Sequence, residues 1–201
     1  MAAAETIILR EPWEVQPRLQ ELGLSKNKLL EVCNIARHEG SNATLFHSAN
    51  AAGTYAYHGG TWGLRDWFIG GDWILDRSNG VETIKNEKLE VIVAFSNVDL
   101  ACVDSHIPQA RTKKGSGAER AMGVDMFGGL PTFAPRSTGE LQFMVDEDGG
   151  TELTRPVVKG GRFTTATERI YLFESGDDEG DGIRKTPPDD VIDFDPKIAR
   201  K

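Results

Sequence analysis

The sequence predicts an α+β fold. Two short N-terminal helices pack on a mainly antiparallel β-sheet or partly open barrel, and a disordered acidic C-terminal tail follows. Three observations predict it. Helical periodicity is confined to the first 40 residues. Short β-prone runs separated by Gly, Asn and Asp then occupy residues 43–174, with no helix of crossover length between them. Beyond residue 174 the chain turns acidic, with almost nothing apolar until "VIDFDP". The expected organisation is one globular domain, 1–174, and a tail, 175–201.

The first element is a helical hairpin over about 11–39. "EPWEVQPRLQELGL" spaces Leu19 and Leu22 one turn apart. "SKNKLLEVCNIARHEG" places Leu29, Leu30, Cys33 and Ala36 at helical spacing, with Ser25 as N-cap and Gly40 as C-cap. The turn at Gly23 also suits a helix-turn-helix, which would put Lys26, Asn27 and Lys28 where base contacts arise. A plain hairpin packed on a sheet is the commoner use of such a turn and is preferred.

From Ala43 to Phe95 the chain reads as β. "TLFHSA", "GTYAYHGGTW", "DWFIG", "DWILD" and "KLEVIVAFS" are the runs, and Asn79-Gly80 marks a hairpin. "LEVIVAF" is the most apolar and the best central strand. Residues 105–136 are polar and Gly/Pro-rich. Within them about 105–120 reads as a mobile basic loop carrying Arg111, Lys113, Lys114 and Arg120. "ELQFMVDEDGGTELTRPVV" predicts two strands joined at Asp148-Gly149-Gly150, and "RFTTATERIYLF" a third. The tail carries eight acidic residues against five basic ones, and it has too little apolar area to offset its ordering entropy.

Composition excludes several classes. The 201 residues carry a net charge of −8, which argues against coating duplex DNA by charge alone. Cys33 and Cys102 lie far apart with no CxxC partner, so neither a metal site nor a disulfide framework is expected. No apolar run approaches the roughly 18 residues of a membrane span, and the expected location is the cytoplasm. No cofactor is expected.

Candidate chemistry is sparse. His38, His47, His58 and His106 fall in no HExxH, HxH or nucleophile-elbow pattern. A small hydrolase or transferase using His47 or His58, with His106 beside Asp104 as a further candidate, is therefore the third-ranked hypothesis. "GGTWGLRDWFIGGDWIL" (59–75) concentrates Trp62, Trp67 and Trp73 around Arg65. If Gly70-Gly71 turns the chain, Phe68 and Trp73 become neighbours. Arg65 and Trp67 are expected on one strand face, with Phe68 pointing into the core.

Aromatic rings for base stacking, a basic loop for phosphates and an acidic tail together predict a non-enzymatic single-stranded nucleic-acid-binding protein. Its contacts would be Trp62, Arg65, Trp67, Trp73, Arg111, Lys113, Lys114 and Arg120. The tail segment "DDVIDFDP" supplies Asp189, Asp190, Asp193, Phe194 and Asp195 for partner recruitment. It is similar in kind to the tails of bacterial and phage single-strand-binding proteins, which end in acid runs with a terminal Phe. It departs from them where "PKIARK" follows the Phe. The alternative is an acidic interaction or inhibitor protein that mimics nucleic acid and occupies a basic groove on a protein partner.

Overall fold

The structure is a computed structural model that describes residues 6–111 and 140–174. In chain order the elements are β1 (Ile7–Leu9), α1 (Pro12–Glu21), α2 (Lys26–Ser41), α3 (Ala51–Phe68), β2 (Trp73–Asp76), β3 (Thr83–Asn86), β4 (Val91–Asn97), β5 (Leu141–Val145), β6 (Thr151–Lys159) and β7 (Arg162–Phe173). The strands form one open seven-stranded sheet in the order β1-β7-β6-β5-β4-β3-β2. The fold is α+β, with a mixed sheet. β2/β3, β3/β4, β5/β6 and β6/β7 are antiparallel, whereas β1/β7 and β4/β5 are parallel. β1 and β2 are its two edges, so the sheet does not close into a barrel.

The three described helices cover one face. α1 begins with Pro12 in its first turn, where the missing N–H costs nothing, and buries Val15 and Leu19. α2 buries Leu29, Val32, Cys33 and Ala36, the predicted stripe. Ser25 sits at its N-cap in extended backbone without a side-chain cap bond, and the helix runs through Gly40 to Ser41. These side chains meet Val91, Val93 and Phe95 of β4, Leu141, Phe143 and Val145 of β5, Leu153 of β6 and Ile170 of β7 in one apolar core. On the opposite face, residues 98–111 lie over β1, β5, β6 and β7. There Val98, Ala101 and Cys102 pack against Met144, Val158, Phe163 and Tyr171.

Residues 51–68 depart most from the expected strands. Their glycines and aromatics read as strands, yet they form α3, at 18 residues the longest of the described helices. The glycines that resemble turn signals are contact points. A Cβ on Gly60 would lie 2.3 Å from the Phe95 ring, and one on Gly59 would lie 2.7 Å from Glu39 Cγ. Gly63 faces Val32 and Ile35. Helix-disfavouring glycine is accepted here because it brings α3 against α2 and β4, and packing overrides propensity. Gly60→Ala is expected to destabilise the fold by about 1–3 kcal/mol through overpacking. An unchanged melting temperature would show that α3 does not press on β4.

"TLFHSA" (44–49) likewise forms no strand but turns in the α2–α3 connection, and β1 corresponds to none of the predicted runs. The remaining strands follow the sequence pattern. β4 is an interior strand, and β2 and β3 form the hairpin at Asn79-Gly80, turned by a short 3-10 segment, Ser78–Gly80. β5, β6 and β7 fall on the three C-terminal runs. The expected basic loop beyond residue 111 and the acidic tail lie outside the described residues. Among the described residues, no helix is long and apolar enough to cross a membrane.

Candidate ligand-binding cleft

The predicted aromatic site does not assemble. Trp73 is buried, 7% exposed, and its indole N–H donates to the Gly23 carbonyl at 3.2 Å. Its ring meets Phe68 edge-on at 6.0 Å across the Gly70-Gly71 turn, as that turn implies, and so belongs to the core rather than to a stacking platform. Trp62 (58% exposed) and Trp67 (39% exposed) reach the surface. They lie on a helix rather than a strand, so five residues separate them by about 140° around the axis and they share no face. Arg65 likewise projects about 160° from Trp67. It is held by an ion pair to Glu82, which Arg77 shares.

Arg111 is the one basic residue of the predicted loop that is described. Lys113, Lys114 and Arg120, and the tail residues Asp189, Asp190, Asp193, Phe194 and Asp195, lie outside the described residues. The histidines do not converge. His47 packs edge-on against Tyr55 in the α2–α3 connection, His58 lies beside Tyr57 on α3, and His106 approaches Asp99 at 3.1 Å on the opposite sheet face. Among the described residues, no group of three His, Cys, Asp or Glu side chains is placed to hold a metal ion.

What the fold does build is a cleft of about 510 Å³. That volume lies in the range of small-ligand sites. Its walls are the C-terminal end of α2 and the N-terminal end of α3, and its floor is formed where the parallel strands β4 and β5 end. The small residues Ala36, Ala52, Gly53 and Ala56 leave the space open, and Arg37, Arg111 and Glu147 supply charge. Parallel pairing of β4 and β5 matters here, because it brings two strand ends, Asn97 and Val145, to the same end of the sheet.

Each charged group is held differently. The Arg37 guanidinium lies against the β5–β6 turn. A Cβ on Gly149 would come within 2.9 Å of its Nη1, and Gly149 itself adopts φ +96°, so glycine is required twice over. Arg37 is exposed and makes no hydrogen bond or ion pair with another described residue. Arg111 donates from Nε to the Val98 carbonyl at 3.2 Å and from Nη2 to Glu147 at 2.7 Å. Through this hydrogen bond Arg111 holds the Glu147 carboxyl below the usual carboxylate range. Asp146 is different. Its carboxylate is buried and accepts from the Ala101 and Gly150 backbone N–H groups, so it fastens the turn.

The connection between α2 and α3 borders this cleft, joining Ser41 to Ala52 of its lining. It is locally ordered: the Thr44 N–H donates to His47 Nδ1 at 2.9 Å and Ser48 Oγ donates to Asn50 at 2.9 Å. At its tip Leu45 and Phe46 are completely exposed, 102% and 101%. Sequence reasoning misses Arg37 and Phe46. The first sits inside a helix whose legible signal is its apolar stripe. The second falls in "TLFHSA", a run that reads as a strand.

A second polar centre lies beneath residues 98–111. Arg169 and Glu152 are almost wholly buried, 1% and 0% exposed, and form a two-bond ion pair at 3.0 and 2.6 Å. Arg169 Nη1 also donates to the Val103 and His106 carbonyls at 2.9 Å, and Glu152 accepts from the Cys102 N–H at 2.6 Å. The pair thus clamps the segment that ends in Arg111. Burial, with the Glu152 charge nearby, pushes the Cys102 thiol well above its usual range, so it is an unreactive core group. No family model, curated protein or solved structure matches the chain, and the chemistry of the cleft stands on its own geometry.

Proposed function

We propose that the chain is a non-enzymatic binding protein that holds single-stranded nucleic acid at the cleft between α2, α3 and the ends of β4 and β5. The observation that carries this reading is the Arg37 guanidinium, unpaired among the described residues, on an open cleft. Arg111 lines the same cleft, and a fully exposed ring, Phe46, stands on the adjoining loop. Cations that meet the phosphates and a ring that stacks a base are the two components such a site needs. In the sequence, Lys113 and Lys114 closely follow Arg111. Trp62 lies about 14 Å along α3 from the cleft residue Gly53 and on the opposite side of the helix. Phe46 therefore replaces the tryptophans as the stacking group.

Titration of a fluorescein-labelled oligo-dT with the full chain, followed by anisotropy, tests this. Binding is expected at low salt, and Phe46→Ala is expected to weaken it by about 1–3 kcal/mol without changing its salt dependence. Equal affinity for Phe46→Ala and the parent protein would remove the stacking role.

Leu45 favours a second reading. A fully exposed aliphatic side chain beside Phe46 suits an apolar pocket on a protein partner, and the net charge of −8 suits a basic one. If a protein is the ligand, Leu45→Asp should abolish binding as fully as Phe46→Asp. If a nucleic acid is, Leu45→Asp should have the smaller effect.

A further inference from the structure

We propose that Glu147 is a built-in competitor for the cleft: it occupies Arg111 in the unliganded protein and is displaced when a phosphate binds. The proposal rests on the cleft being the anion-binding site, and it adds what sets the threshold for entry.

The two acids on the cleft floor are adjacent in sequence and opposite in role. Asp146 is buried and consumed by backbone N–H groups. Glu147 has a side chain 75% exposed, and Arg111 at 2.7 Å is its one hydrogen-bond partner among the described residues. The Arg111 guanidinium is seated independently of Glu147. Its Nε–H is fixed on the Val98 carbonyl at 3.2 Å, and its backbone N–H donates to the Asn97 carbonyl at 3.1 Å. When Glu147 swings away, the guanidinium stays in place with its outer edge free. Exposed ion pairs of this kind are weak and give way to a stronger anion. A phosphate bears more charge and more acceptor oxygens than a carboxylate and suits the guanidinium fork. Glu147 thus lowers the affinity of Arg111 for every anion alike, so that only strong binders such as phosphates and polyanions fill the site.

The test is a double-mutant cycle in the full chain with two probes, labelled oligo-dT and inorganic pyrophosphate. Pyrophosphate binding is read from the Arg111 side-chain N–H resonance or, where Arg111 is replaced, by calorimetry. Glu147→Gln keeps the shape and removes the charge. It should tighten binding of both probes about three- to tenfold. The gain should vanish in an Arg111→Ala background, because there is then nothing for Glu147 to block. Glu87→Gln, which removes an exposed acid paired with Lys85 on the β3–β4 turn, should give no gain.

No gain from Glu147→Gln overturns the proposal. So does a gain that persists in full without Arg111, since Glu147 would then act only by long-range repulsion. Tighter pyrophosphate binding by Glu147→Gln with no oligo-dT binding by any variant leaves the competitor in place and removes the nucleic-acid reading. Failure of every variant to bind either probe removes both.

Discussion

Arg169→Met is expected to cost about 3–5 kcal/mol of stability. The replacement fills much of the same volume, so the loss is electrostatic. Glu152, 0% exposed, would keep a buried charge with no counter-charge. The Val103 and His106 carbonyls would lose their donor as well. Replacing both partners, Arg169→Met with Glu152→Leu, should recover part of the loss, because an apolar pair leaves no uncompensated charge. It should not recover all of it, since the Cys102 N–H loses its acceptor. Urea unfolding measures both. A cost below about 1 kcal/mol for the single variant would show that the pair is hydrated or dispensable. The consequence reaches the cleft, because the clamped segment positions Arg111.

Phe68→Ala is expected to cost about 3–5 kcal/mol, while Trp62→Ala should stay within about 0.5 kcal/mol of the parent. Phe68 is 6% exposed and packs between Trp73 and the Lys28 ammonium, which lies 5.4 Å above its ring. Trp62 stands on the solvent side of α3. Trp67→Ala should also be mild, because Trp67 binds Lys28 through its backbone carbonyl, which survives the change. Thermal and urea unfolding distinguish the three. Equal costs at Phe68 and Trp62 would contradict the orientation of α3.

The same residues show what is legible in the sequence. Phe68 is a core residue under either reading: its neighbour Trp73 follows from the Gly70-Gly71 turn, whether the chain before it is strand or helix. α3 escapes a local reading because Gly59, Gly60 and Gly63 carry a strong turn signal. Their reason for being glycine is tertiary, namely the Phe95 ring and the α2 side chains, and no local pattern encodes it. The hairpins of β2/β3 and β5/β6 are legible because their turns carry Asn-Gly and Asp-Gly-Gly, which bear the required positive φ at Gly80 and Gly149.

The parallel pairs have no such marker. β5 joins β4 across a long stretch of sequence, and β1 is three residues long. The cleft is invisible in the sequence for that reason: it exists only because the ends of β4 and β5 coincide. Of the predicted contacts that are described, Arg111 alone falls there.

In the proposed function, Arg37 and Arg111 carry the phosphate contacts of the cleft. The most direct measurement is the salt dependence of oligo-dT binding by the full chain, compared with Arg37→Ala. The parent protein should bind at low salt and lose affinity steeply as salt rises. The logarithmic slope should shrink by about 0.7 for Arg37→Ala, one phosphate contact on a single strand. Binding that is absent at low salt, or a slope that Arg37→Ala leaves unchanged, would contradict it.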